Sequence, residues 1–94
     1  MRDDAPQLAE RFGHNLFICR RRVGLSQERL AGYASLHRTE ISLLERGHRL
    51  ARIDTVIKLS GSLDVPPGDL LKDMGWVVSQ TAPGSFVCAA GWGS

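Results

Sequence analysis

Polar side chains that could recognise a nucleic acid are concentrated in residues 26–47, SQERLAGYASLHRTEISLLERG. A guanidinium group pairs with guanine or phosphate oxygens, and hydroxyl and amide groups hydrogen-bond base edges or phosphates. The segment supplies such groups at Gln27, Arg38, Thr39, Ser42 and Arg46. These residue types suit contact with base edges and with the phosphate backbone.

The apolar residues of this segment predict the elements that would hold those side chains. They stand where two short helices bury their facing sides at a tight turn, namely at Leu30, Ala31, Ala34, Leu36, Ile41 and Leu44. Ser26 is suited to cap the first helix, and Gly47 to end the second. The pattern predicts a helix-turn-helix, whose second helix would lie in the DNA major groove.

The remaining patterns predict an all-α domain of five helices. The first helix carries an apolar stripe of Leu8, Phe12, Leu16, Cys19 and Val23 and is stopped by Gly24. Two consecutive prolines after the fourth helix interrupt the chain, because proline cannot continue a helix. The predicted helices cover residues 6–22, 26–33, 38–46, 52–63 and 67–72.

The last 22 residues differ in composition, being rich in Gly, Ser and Ala with scattered aromatic residues. Two short strands, at 76–78 and 86–88, could pair as a β-hairpin around Pro83-Gly84. The alternative is a disordered end. We therefore divide the chain into a DNA-binding domain, 1–72, and a C-terminal tail, 73–94, that either dimerises or is disordered.

The excess of basic charge is concentrated in the middle of the chain. Residues 18–52 hold eight arginines against three glutamates, for a net charge of +5, whereas the segments on either side are net negative. A basic region that coincides with the helix-turn-helix is the electrostatic footprint of a nucleic-acid binder. Arginine could also simply be the preferred basic residue, since ten of the twelve are Arg.

Other function classes find little support in the residue pattern. The histidines His14, His37 and His48 lack metal-ligand spacing, and we expect no catalytic residues, no metal and no cofactor. Cys19 is expected to be a reduced core residue, with a Cys19–Cys88 disulfide as the less favoured alternative. Without an apolar run of about 20 residues or a signal-like start, we expect a cytoplasmic protein with no membrane partner.

With these elements in order, the chain resembles the lambda-repressor and Cro-like helix-turn-helix family, also called the XRE family. The resemblance covers about residues 8–72. Its elements are Arg20, GLSQ at 24–27, LA at 30–31, ISLLERG at 41–47 and LDVPPGDLL at 63–71. Several spaced elements in one order are more specific than a single short motif.

The resemblance implies a role for each matching position. Gln27 would bond a DNA phosphate and brace the recognition helix. Arg38 and Thr39 would reach base edges, with Ser42 and Leu43 one turn further along. Arg20 and Glu45 would form a structural ion pair tying helix 1 to helix 3. The loop that grips the DNA backbone would include Arg46, His48 and Arg49.

Several residues depart from the family pattern. Ser35 replaces the usual glycine in the turn, where a positive φ is commonly needed, so it implies strain or a different turn. His37 stands at a helix start where a small cap residue is usual, so it either caps poorly or contacts a phosphate. Leu43 replaces a polar residue and could read a thymine methyl or form an interaction surface. Ala51-Arg52 replaces the usual Pro-Ser before helix 4.

Two apolar side chains, Phe17 and Ile18, lie off the buried stripe of helix 1 and would need a cover. We hypothesise that the aromatic residues of the tail pack over them, in cis or from a second subunit; these are Trp76, Phe86 and Trp92. The alternative is tolerated exposure.

The resemblance and the charge pattern together predict a sequence-specific, double-stranded-DNA-binding transcriptional regulator. We expect a repressor that binds a palindromic operator as a homodimer, with helix 5 and the tail as the dimer surface. The alternative is an antitoxin or adaptor whose main task is to bind a partner protein through the C-terminal tail.

Overall fold

The computed structural model describes residues 5–88. Five helices are followed by a two-stranded antiparallel hairpin, which confirms the predicted all-α domain with a small β-hairpin. The elements are α1 (Ala5–Arg22), α2 (Gln27–Ala34), α3 (Arg38–Glu45), α4 (Ile53–Leu63), α5 (Pro67–Leu70), β1 (Met74–Val77) and β2 (Ser85–Cys88).

One hydrophobic core joins the five helices. Its fully buried side chains come from every helix: Leu16, Leu30, Ile41, Leu44, Leu59 and Leu70. Five of the six apolar positions expected at the helix-turn-helix crossing are buried, and Leu36 packs partly buried against the core. Burial of these aliphatic groups fixes α2 and α3 against α1 and α4.

The turn between α2 and α3 keeps a left-handed residue without glycine. Ser35 has φ 55° and ψ 45°, and the N–H of Leu36 donates to the carbonyl of Ala31 at 2.9 Å. A left-handed conformation costs a non-glycine residue about 1–2 kcal/mol. Of the two expectations for this turn, the structure shows the one in which Ser35 itself adopts the positive φ.

The apolar stripe of α1 is shorter than predicted. Phe12, Leu16 and Cys19 are buried and Leu8 is half-buried, but Val23 is 48% exposed. The prediction for Val23 was wrong because α1 ends at Arg22. Val23 lies just beyond the helix, in the turn that Gly24 forms with φ 77°, so its side chain does not continue the buried face of α1.

The fifth helix ends earlier than predicted, at Leu70 rather than Lys72. Side chains of α1 hold the turn that follows it: Asn15 Nδ2 donates to the carbonyls of Leu70 and Lys72, each at 3.0 Å. One turn earlier, Arg11 Nη2 forms an ion pair with Asp73 at 2.6 Å. These bonds draw the chain onto α1 and fix where the hairpin begins.

The hairpin packs on the N-terminal end of α1. Trp76 is paired with Phe86 across the strands, with ring centroids 4.9 Å apart, and both lie beside Leu8. Leu8 precedes Phe17 by nine residues, about 13 Å along a helix. Packing of these two rings over Phe17 and Ile18 in cis was therefore wrong; Trp92 lies outside the described residues.

The ring of Phe17 instead lies beside cationic groups. The guanidinium carbons of Arg20 and Arg21 are each 5.5 Å from its centroid, and the side chain is 38% exposed. A cation over an aromatic face is attracted by the negative face of the ring. This contact occupies part of the surface that the tail was expected to cover.

The structure also bears on the two cysteines and on the hydrophobicity of the helices. Cys19 and Cys88 are not joined by a disulfide, and Cys19 is buried. Within residues 5–88, no helix is long and apolar enough to cross a membrane.

Candidate nucleic-acid interface

The two ends of α3 differ in how they are held. Ile41 and Leu44 are fully buried, whereas Arg38 and Thr39 in the first turn are exposed. Ser42 and Leu43, one turn further along, are half-buried. The helix thus inserts its C-terminal half into the domain and presents its N-terminal turn to solvent.

A buried ion pair anchors the C-terminal end of α3. Arg20 donates from Nε to Glu45 Oε2 at 2.6 Å and from Nη2 to Glu45 Oε1 at 3.0 Å. The two side chains are only 9% and 5% exposed. Arg20 Nη1 also donates to the carbonyl of Leu25 at 2.8 Å, so most of its guanidinium group is satisfied. This bidentate geometry fixes α3 relative to α1.

Gln27 joins the same anchor from the start of α2. Its Nε2 donates to Glu45 Oε1 at 3.0 Å, and its side chain is half-buried. Ser26, the residue before it, caps α2 by accepting a hydrogen bond from the N–H of Arg29 at 3.0 Å. Gln27 therefore braces α3 while standing in the first turn of α2.

A glycine allows α1 to approach α3 closely. A Cβ atom built on Gly13 would lie 2.3 Å from the carbonyl oxygen of Leu44 and 2.7 Å from that of Glu45. Such distances are far inside van der Waals contact, so no larger side chain fits without moving the backbone of α3. Gly13 thus sets the position of the helix that carries Arg38 and Thr39.

The loop from α3 to α4 is basic and exposed. Gly47, with φ 72°, turns the chain, and its α-carbon faces the backbone of Glu10 closely. Four exposed side chains around this glycine project outwards, those of Arg46, His48, Arg49 and Arg52. Together with the exposed start of α3, the loop forms a positively charged surface that suits a polyanion.

His37 stands at the N-cap of α3 without capping it. The residue has φ −83° and ψ 146°, and its side chain makes no cap hydrogen bond. Its carbonyl accepts from the N–H groups of Glu40 and Ile41. The first N–H groups of a helix, here those of Arg38 and Thr39, have no intrahelical acceptor, so this exposed imidazole lies beside donors suited to an anion.

Sequence reasoning missed three residues with structural roles. Gly13 sets the approach of α1 to α3, whereas Arg11 and Asn15 hold the chain that follows α5. The partners of Arg11 and Asn15 lie at least 55 residues further along the chain, so local patterns contained no sign of them. Gly13 did leave a signal, because glycine in the interior of an amphipathic helix is unfavourable unless close packing requires it.

The structure offers no metal centre in the part of the chain that it describes. No group of three or more His, Cys, Asp or Glu side chains is placed to hold a metal ion between residues 5 and 88.

The sequence is similar to a helix-turn-helix family and to a known control protein. A family profile described as helix-turn-helix (HTH_3) matches residues 16–70. Control protein C.BamHI of Bacillus amyloliquefaciens is 51% identical over 47 residues, which are 50% of this chain and 58% of that protein. The chain thus matches less than two thirds of the length of this curated relative.

Solved structures give the same placement. The restriction-modification controller protein C.AhdI from Aeromonas hydrophila superposes with a TM-score of 0.65 at 37% identity, over 66% of this chain and 94% of that one. The P22 c2 repressor, solved with a synthetic operator, superposes with a TM-score of 0.61 over 65% of this chain and 92% of its own. At 24% identity, this second likeness concerns the fold alone.

Proposed function

Because this chain belongs to the XRE-type helix-turn-helix family of DNA-binding transcription regulators, we propose that it represses transcription as a homodimer on a palindromic operator. Each subunit would place α3 in the major groove of one half-site, with the half-sites about one helical turn apart. The likeness to C.AhdI, a restriction-modification controller protein, and to the control protein C.BamHI supports a role in controlling restriction–modification genes.

The observation that carries this proposal is the contrast between the two ends of α3. Glu45 at one end is buried in a network with Arg20 and Gln27, whereas the side chains of Arg38 and Thr39 at the other are exposed. Within residues 5–88, these two side chains have no hydrogen-bonded or ionic partner. A rigid helix with uncommitted donors at its tip is suited to reading base edges, since little freedom remains to be lost on binding.

The proposed roles follow from exposure. Arg38 and Thr39 read base edges. Ser42 and Leu43 lie further along the major groove. They make smaller contacts with the DNA because their side chains are half-buried. The remaining candidates contact phosphates, which position the protein without reading sequence; they are Gln27, His37, Arg46, His48 and Arg49. Residues 1–72 form the DNA-binding domain, and residues 73–94 form the tail.

Gln27 can serve the phosphate and Glu45 together. An amide nitrogen carries two donors, and only one is used in the bond to Glu45 Oε1. The second can point from the first turn of α2 towards a phosphate. One residue would then couple backbone contact to the position of the recognition helix.

Selection from random double-stranded DNA tests the proposal. The purified protein is incubated with the pool at moderate salt, and the retained sequences are read. We expect an enriched palindrome whose two halves are about one turn of DNA apart. A folded protein that enriches no sequence would contradict the proposal and favour the alternative of an antitoxin or adaptor.

A further inference from the structure

Helix α4 leaves large aliphatic side chains in water. Its 11 residues bury Val56, Leu59 and Leu63 on one side, yet Ile53 is 80% exposed and Ile57 is 61% exposed. Residues four apart lie on the same face of a helix, so these two isoleucines form one apolar ridge. Adjacent exposed aliphatic groups of this size mark an interaction surface.

The ridge ends in a notch one turn further along. A Cβ atom built on Gly61 would meet nothing within 4 Å. Gly61 and Ile57 also line a shallow groove with Tyr33, Lys58 and Ser62. The face therefore presents a protruding side chain at Ile53 and an open position at Gly61, placed symmetrically four residues before and after Ile57.

We propose that this α4 face joins the two subunits, with the α4 helices antiparallel across a two-fold axis at Ile57. Such an axis maps residue 53 onto residue 61 and residue 57 onto itself. Ile53 then enters the notch at Gly61 of the partner subunit, and the two Ile57 side chains meet. An isologous contact requires this self-complementarity. The inference rests on the homodimer of the proposed function and names its surface.

The charges beside the ridge are complementary under the same axis. Asp54 and Lys58 lie on one flank of α4, and the axis sets Lys58 about 3 Å along the helix from Asp54 of the partner subunit. Within a subunit, the exposed carboxylate of Asp54 accepts a hydrogen bond from the N–H of Thr55 at 2.9 Å. Its ion pair among residues 5–88 is a 3.4 Å contact with the exposed Arg52. Lys58 forms no ion pair with any residue between 5 and 88. Two symmetric Lys58–Asp54 pairs would fix the register.

This surface differs from the one expected from the sequence, which was helix 5 and the tail. Leu70 of α5 is fully buried. Trp76 and Phe86 of the hairpin pack on each other beside Leu8, although Trp76 stays 56% exposed. An α4 pairing extends over about 16 Å of helix. It therefore buries less than the roughly 1,200 Å² of the smallest standard interfaces, and the dimer should dissociate reversibly.

Sedimentation equilibrium without DNA tests the surface. Ile57→Lys puts two cations on the axis, and we expect the dimer dissociation constant to rise about tenfold or more. The control is Val78→Lys at the hairpin, where the side chain is 77% exposed; it should stay within about twofold of wild type. At a concentration where the wild-type protein is monomeric, both variants should keep its melting temperature closely, because both positions are exposed and association no longer contributes to stability.

Disulfide crosslinking tests the register. In a Cys88→Ser background, Ile57→Cys should crosslink two subunits on oxidation. Ile53→Cys should not, because its symmetry mate lies about 12 Å away along the helix. Crosslinking of both variants alike, or of neither, would overturn the proposed axis.

The two proposals can fail separately. An Ile57→Lys protein that remains dimeric, or a dimer lost on Val78→Lys, overturns the α4 surface while leaving operator binding intact. A wild-type protein that is monomeric at every concentration also overturns it. In that case, the palindrome selection still decides whether the chain reads DNA.

Discussion

Gln27 and Glu45 are joined by a 3.0 Å hydrogen bond between the start of α2 and the end of α3. The accepting oxygen also receives Arg20 Nη2, so one carboxylate holds three helices together. The C-terminal end of α3 is consequently fixed in the domain. Because the helix is short and continuous, this also fixes its exposed N-terminal turn. Orientation of Arg38 thus depends on residues that need not touch DNA.

Breaking this anchor should be costly. Glu45→Ala leaves the buried guanidinium of Arg20 without its anion, and removal of one partner of a buried pair costs about 3–5 kcal/mol. We expect that loss in the free energy of urea unfolding. The comparison is Arg52→Ala, whose ion pair with Asp54 is exposed and should contribute less than about 1 kcal/mol. Similar losses in both variants would refute the anchoring role.

The close approach at Gly13 gives a second stability prediction. Gly13→Ala forces the new methyl group into the carbonyls of Leu44 and Glu45, so it should destabilise the fold despite alanine's better helix propensity. Gly32→Ala, in α2, meets nothing within 4 Å and should stabilise by about 0.5–1 kcal/mol. Thermal unfolding of the pair measures both. A stabilised Gly13→Ala protein would contradict the packing of α1 on α3.

The sequence allowed the helices and the turn to be predicted because their signals are local. The spacing of Leu30, Ala31 and Ala34 in α2, and of Ile41 and Leu44 in α3, follows directly from helix geometry. Contacts between distant segments left no comparable pattern. Asn15 binds backbone carbonyls of α5 and the turn after it, and no periodicity records a backbone acceptor 55 residues away.

The surface was harder to predict than the core, for a related physical reason. Ile53 and Ile57 fit an apolar helix pattern. That pattern does not distinguish the apolar residues that are buried in the core from those that stay exposed on the surface of a small domain. Conversely, Arg38 and Thr39 were selected by residue type, and the family resemblance then assigned them base-reading roles, which remain predictions.

Cys19 gives a prediction in the alkaline range. Burial raises the pKa of its thiol; nearby Arg22 and Lys72 act against the rise, and Asp69 adds to it. A raised folded-state pKa means that the stabilisation is present at lower pH and is lost as the unfolded thiol ionises, above about pH 8.5. Unfolding free energy should therefore fall there, and a Cys19→Ala protein should lack that part of the slope.

Thiol labelling provides an independent check on Cys19. A disulfide-exchange reagent should modify the half-buried Cys88 first and reach Cys19 only as the protein unfolds. Equal rates for the two thiols in the folded protein would contradict the burial of Cys19.

Arg49 should contribute affinity without specificity. Arg49→Ala removes a phosphate contact, so we expect weaker binding to all sequences alike and a salt slope reduced by about 1. Fluorescence anisotropy over a range of salt concentrations measures both quantities. Lys72→Ala removes the same charge beside Cys19 and Asp69 and should change neither. A base-selective effect of Arg49→Ala would contradict its assignment.

The central claim is that the exposed first turn of α3 reads base edges, and the Arg38→Ala protein tests this claim most directly. The affinities of the wild-type and Arg38→Ala proteins are measured for the selected operator and for every single base-pair change in one half-site. We predict that Arg38→Ala abolishes discrimination at one position, a coupling of about 1–3 kcal/mol, and preserves it elsewhere. An equal loss of affinity for every sequence, or no loss at all, would contradict the claim.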